Sequence, residues 1–100
     1  MNITKRKPFT PGEILVEEFM KHYSLTQGQL AEKIGVERRR INEIINGKRS
    51  ITSDTAIRLG RFFGMTPEYW LNLQMKIALW DELHNPKKQN AYKGIKPIAA

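Results

Sequence analysis

Three arginines stand in a row at positions 38, 39 and 40, followed by isoleucines at 41, 44 and 45 and then by Asn46-Gly47-Lys48. A guanidinium is planar, always charged and carries its donors in a fixed fork, which matches phosphate oxygens and the O6/N7 edge of guanine. Three such groups side by side repel one another, and nothing between Gly35 and Lys48 offsets them fully. Their chemistry is therefore anion recognition. Bond-making chemistry finds no comparable residues. His22 and His84 are isolated, cysteine is absent, and neither a G-x-S-x-G elbow nor a phosphate loop occurs. The adjacent Glu17 and Glu18 would point to different sides of a helix and do not make an acid/base pair. The expectation is a protein that is no enzyme and has neither metal site nor cofactor.

The elements that must hold these arginines are short helices with clear stops. Thr10-Pro11-Gly12-Glu13 opens the first: a cap, a proline at the first position and an acid that completes a capping box. Leu15, Phe19 and Tyr23 then recur at helical spacing. Thr26-Gln27-Gly28-Gln29 repeats the box, Leu30, Ala31 and Ile34 supply an apolar face, and Gly35 ends that second helix. A third helix runs from about Glu37 to Ile45, with Ile41, Ile44 and Ile45 inward and Gly47 at its end. Thr52-Ser53-Asp54 starts a fourth, with Ala56, Leu59 and Phe63 facing in, and Thr66-Pro67-Glu68 opens a fifth that reaches Leu83. Three segments result: a basic arm at 1–9, a helical domain at 10–84, and a basic tail at 85–100 with a short strand around Tyr92 to Ile98 as an option.

Two short helices joined by a tight glycine turn describe a helix-turn-helix, whose second helix lies in the major groove with its N-terminal residues against base edges. On that geometry Arg38 and Arg39 read bases and Arg40 meets a phosphate, while Asn42 and Glu43, one turn on, reach a base edge or are simply exposed. Lys48 and Arg49 follow in a loop beside the groove, at phosphates. Thr26 and Gln27 have a capping role, and the same helix N-terminus also offers free N–H groups to a phosphate. Trp70, Leu73, Ile77 and Trp80 form one apolar stripe on the fifth helix, and Leu71, Met75 and Ala78 form a neighbouring one. A domain this small struggles to bury both, so the first stripe is expected at a homodimer interface. Glu13, Glu17 and Glu18 make an acidic island that is either wetted or a docking face for a basic partner.

Length and composition agree. One hundred residues make one domain, and a net charge of +7 in a cysteine-free chain makes nucleic acid the first candidate partner. No run of 18 apolar residues is present to cross a bilayer, and MNITKRKPF lacks the apolar segment of a secretory signal, so a cytoplasmic location is expected.

Residues 25–74 resemble the five-helix domain of lambda-repressor or Xre-type regulators, through Leu25-Thr26-Gln27, Leu30-Ala31, Gly35-Val36, Ile41 and Asn46-Gly47-Lys48. FTPGEILVEEFM at 9–20 and GMTPEYWLNLQ at 64–74 are similar, more narrowly, to the HigA/VapI antitoxins, which bind DNA and partner RelE-like toxins that cleave messenger RNA on the ribosome. Thr10 stands where that family often has His, outside the reading helix. The resemblance implies an all-α fold, a phosphate role for Gln27, a dimer on palindromic operator DNA and a RelE/HigB-like toxin as partner. The alternatives are a stand-alone Xre-type regulator and a pure interaction protein whose helix-turn-helix is only a scaffold.

Overall fold

A computed structural model describes residues 6–99, so the first five residues of the arm lie outside it. The described residues form α1 (Pro11–Ile14), which runs on without a break as a π-helical segment (Leu15–Met20), then α2 (Gln27–Ile34), α3 (Arg38–Ile45), α4 (Ser53–Phe63), α5 (Pro67–Leu83) and a short α6 (Gln89–Lys93). Both expected capping boxes form. Thr10 Oγ1 accepts the Glu13 N–H at 3.1 Å while Glu13 Oε1 accepts the Thr10 N–H at 2.8 Å, and Thr26 and Gln29 repeat the exchange. Gly35 ends α2 in the left-handed region, at φ 74°, where any side chain would be strained.

The first helix departs from simple four-residue spacing. The Lys21 N–H reaches back five residues to the Val16 carbonyl at 3.0 Å. Leu15 and Met20, also five apart, are both buried, whereas Tyr23 is exposed. The wide turn puts one extra residue into the helix, so Met20 rejoins the inward face. Ser24 then closes the helix at φ 55°. Gly12 presses on the far end of α3: a Cβ there would stand 2.3 Å from the Ile44 carbonyl oxygen and 2.8 Å from Ile45 Cα.

Leu15, Leu30, Ile41, Ala56, Leu59 and Trp70 are the fully enclosed apolar residues of the core. The Trp70 ring centroid lies 4.9 Å from that of Phe19 and 6.3 Å from that of Phe63. Side chains of this size contribute about 1.5–3 kcal/mol each on burial. Trp70, expected at a partner interface, is thus spent on its own core, and Ile77 is buried with it. A side chain enclosed within its chain has no surface for a second copy, so these two positions are corrected. Leu73 and Trp80 are half-buried. What α5 presents outward is Tyr69, Met75, Leu79 and Leu83, with Met75 61% and Leu79 56% exposed. Trp80 is covered by the arm: Lys7 Nζ lies 5.8 Å from its ring centroid and 3.3 Å from Asp81, and the His84 ring stacks on it at 3.8 Å.

No strand forms around Tyr92 to Ile98 among the described residues; Gln89–Lys93 is helical instead. A strand needs an edge to pair with, whereas α6 finds local partners. The Tyr92 hydroxyl and the Lys88 ammonium both donate to the Glu82 carboxylate, and Gln89 Nε2 donates to the Leu83 carbonyl at 2.7 Å. The Tyr92 hydrogen bond, with Lys88 behind it, holds the Glu82 carboxyl below its ordinary range, and Glu82 in turn raises Lys88 and Tyr92.

Candidate nucleic-acid interface

The exposed side of α3 follows from its pattern. Ile41 and Ile44 are buried, so Arg38, Arg39 and Asn42 must turn outward. Gln27, at the start of α2, lies across from them. Asn42 Nδ2 donates to Gln27 Oε1 at 3.1 Å, and Asn46 Nδ2 donates to Asn42 Oδ1 at 3.2 Å and to the Asn42 carbonyl at 3.0 Å. Three amide side chains therefore line the groove between the two helices.

Two of the three arginines in the row are ion-paired within the chain. Glu43 takes Arg49 Nε at 2.9 Å on one oxygen and Arg39 Nε at 3.2 Å on the other. Those bonds, that of Arg49 foremost, hold the Glu43 carboxyl below its usual range against the opposing effect of desolvation. Arg40 turns away from Arg39. Its Nη1 donates to Asp54 Oδ2 at 2.8 Å and to the hydroxyl of buried Thr55 at 3.4 Å. Arg40, expected at a phosphate, is thus committed to α4. Asp54 also accepts Arg58 Nε, at 3.1 Å, and the two arginines, Arg40 first, hold its carboxyl below the ordinary value.

Arg38 is left exposed at the first position of α3, with no ion pair or hydrogen bond among the described residues. It lies over the start of α2, its Cδ 3.9 Å from where a Cβ on Gly28 would stand. Thr26 is engaged as a cap through its hydroxyl, and Lys48 is exposed in the loop after α3. Sequence reasoning passed over Asp54, Arg58 and Asn46, and it read Glu43 as base-reaching or exposed where the structure has it hold Arg39 and Arg49. Arg39–Glu43 and Asp54–Arg58 are i,i+4 pairs that helical spacing could have shown. The Arg40–Asp54 pair, 14 residues apart, carried no local signal.

Chemically, the face offers fixed amides and a cation and has no nucleophile. Among the described residues no group of three or more His, Cys, Asp or Glu could hold a metal, and no helix is long and apolar enough to cross a membrane.

Comparison with known proteins points the same way. Residues 16–70 match the family described as Helix-turn-helix, HTH_3. An HTH-type transcriptional regulator of Haemophilus influenzae is 44% identical over 92% of this chain and 86% of its own length. Antitoxin HigA-1 of Vibrio cholerae is 40% identical over 98% of this chain and 90% of its own. The solved structure of Pseudomonas aeruginosa antitoxin HigA with the higBA promoter superposes with a TM-score of 0.82 at 35% identity, covering 91% of this chain and 98% of the other.

Proposed function

The chain belongs to the helix-turn-helix family, and from that premise we propose a sequence-specific DNA-binding repressor that is the antitoxin of a HigBA-type toxin–antitoxin pair. It binds double-stranded operator DNA in its own promoter and neutralises a HigB-like toxin in the cytoplasm. The relative solved on promoter DNA supports the first activity and the relatives named as antitoxins support the second. The observation that carries the reading is Arg38: an exposed, uncommitted guanidinium at the first turn of a helix whose opposite face is locked in the core. Arg38 reads a guanine edge, Asn42 an adjoining base, and Arg39 joins them when it exchanges Glu43 for DNA. Lys48, Arg49 and the start of α2 at Thr26 and Gln27 meet phosphates.

Two copies place two such helices about one DNA turn apart, roughly 34–36 Å. The outward apolar strip of Tyr69, Met75, Leu79 and Leu83, beside Leu73 and Trp80, suits a two-fold contact. For the toxin, the groove lined by Phe9, Ile14, Val16 and Ile45 and rimmed by Glu13, Glu17 and Glu18 has the sign that a basic protein requires. The 1–9 arm and 85–100 tail flank this working unit of 10–84. A stand-alone regulator is the second reading, with which the name of the Haemophilus relative as an HTH-type transcriptional regulator is compatible, and a neighbouring gene for a small basic ribonuclease-like protein distinguishes the two.

The test is a footprint of the chain on the promoter of its own gene, with a promoter–reporter fusion beside it. Protection of a palindromic site and repression of the reporter are expected. Equal affinity for promoter and scrambled duplex would refute sequence-specific repression.

A further inference from the structure

A chain of side-chain contacts through Arg58, Asp54 and Arg40 joins α2, α4 and α3. Arg58, on α4, donates Nη1 to the Ile34 carbonyl at 2.8 Å and to the Gly35 carbonyl at 3.3 Å, at the end of α2. Its Nε contacts both oxygens of Asp54, at 3.2 and 3.1 Å. Asp54 Oδ2 then takes Arg40 Nη1, from the first turn of α3, at 2.8 Å. The chain of contacts thus runs from the end of α2, through α4, to the beginning of α3. We infer that Asp54 and Arg58 are positioning residues for operator recognition, which fix the first turn of α3 against the end of α2 and withhold the Arg40 guanidinium from the DNA backbone.

Two independent features support this. The start of α3 has no local anchor: Glu37 sits at its cap with no side-chain hydrogen bond, whereas α1, α2 and α4 are each closed by a threonine. The residues that follow must nevertheless present Arg38 with the geometry a bidentate base contact demands. The relay also makes a poor stability device. The side chains of Asp54, Arg58 and Arg40 are 56%, 40% and 30% exposed, and exposed pairs of this kind contribute about 0–1 kcal/mol. Its effect falls on geometry and on which arginine the DNA meets.

The inference rests on the DNA-binding reading above, and the experiment separates the two. Fluorescence anisotropy of the full chain is measured on a duplex from its own promoter and on a scrambled duplex, from about 50 to 200 mM salt. For Asp54→Asn, the promoter-over-scrambled ratio should fall about three- to tenfold. Its slope of log affinity against log salt on the scrambled duplex should steepen by about 0.9, because a freed Arg40 gains a phosphate. Adding Arg40→Ala should restore the slope while the ratio stays low. Arg58→Lys keeps the charge but loses the fork, so the ratio should drop with the slope unchanged. Asp54→Asn with a wild-type ratio and slope would overturn the inference, as would an Asp54→Asn chain that is unfolded by circular dichroism. A wild-type protein that cannot tell the two duplexes apart would refute the functional reading, and the relay's role with it.

Discussion

Replacing Gly12 with alanine should loosen the contact between the first helix and the end of α3. The added Cβ would stand 2.3 Å from the Ile44 carbonyl oxygen, 2.8 Å from Ile45 Cα and 2.9 Å from the Ile45 carbonyl oxygen. Real Cβ atoms essentially never approach closer than 3.0 Å, so the two segments must separate by at least 0.7 Å. All three obstacles are backbone, so no rotamer change relieves them. Separation strips contacts from Leu15 and Ile44, both in the core. Overpacking of this kind costs about 1–3 kcal/mol, and rigid backbone on the receiving side argues for the upper half. In a domain of this size each kcal/mol moves the melting midpoint by about 4–8 °C, so a fall of about 8–24 °C is expected. Thermal melts followed by circular dichroism are the assay. Gly28→Ala is the control, because its Cβ would meet nothing closer than the Arg38 Cδ at 3.9 Å, and its midpoint should hold within about 3 °C. If Gly12→Ala melted with the control, the close approach of the first helix to α3 would be refuted.

Arg38→Ala should cost about 1–3 kcal/mol on the operator and relax preference at one base, whereas Lys48→Ala should weaken every duplex alike and reduce the salt slope by about one; competition binding on single-base operator variants distinguishes them. Leu79→Glu, on the outward face of α5, should give a folded monomer by sedimentation with operator affinity near its non-specific level, and a variant that stays dimeric would move the interface elsewhere. Ser24→Gly relieves the left-handed backbone at φ 55° and should raise stability by about 0.5–1 kcal/mol in urea titration; a loss would mean the serine side chain supports that turn. Glu43, Asp54 and Glu82 have carboxyls lowered in the fold, so the stability they add is present above their ordinary values of 4.5, 3.8 and 4.5 and is lost as pH falls below them. Melts from neutral to acid pH should therefore decline below those values, and less steeply when all three are replaced by Asn or Gln.

The helix limits were legible because the groups that set them are local. Thr10, Thr26 and Thr52 cap within three residues of themselves, and Gly35 and Gly64 end their helices by backbone conformation alone. The exposed face of α3 was legible for the same reason, since Ile41 and Ile44 fix its rotation. Partners brought together by folding were not. Nothing near Arg40 in the chain announces Asp54, so a brace looked like one more cation for DNA. Trp70 illustrates a second gap: an apolar stripe shows that one side of α5 is covered, but not whether its own chain or a neighbour covers it. Met20 illustrates a third, because a period of four cannot find a residue held by a turn of five. At the tail, composition suggested loose chain, while the outcome turned on one carboxylate, Glu82, within reach of both Lys88 and Tyr92.

The wide turn in the first helix also bears on how related chains are to be aligned. In α3 or α5, deleting one residue would rotate every following side chain by about 100° and carry the apolar face away from the core. Between Leu15 and Met20 the consequence is different, because that span already holds one residue more than an α-helix needs. Losing a residue there would let the backbone close with ordinary four-residue bonds while Pro11–Ile14 and the chain beyond Met20 keep their facing. A relative one residue shorter at this point would therefore share the same core and the same DNA face, and a single gap inside its first helix would mark no change of architecture.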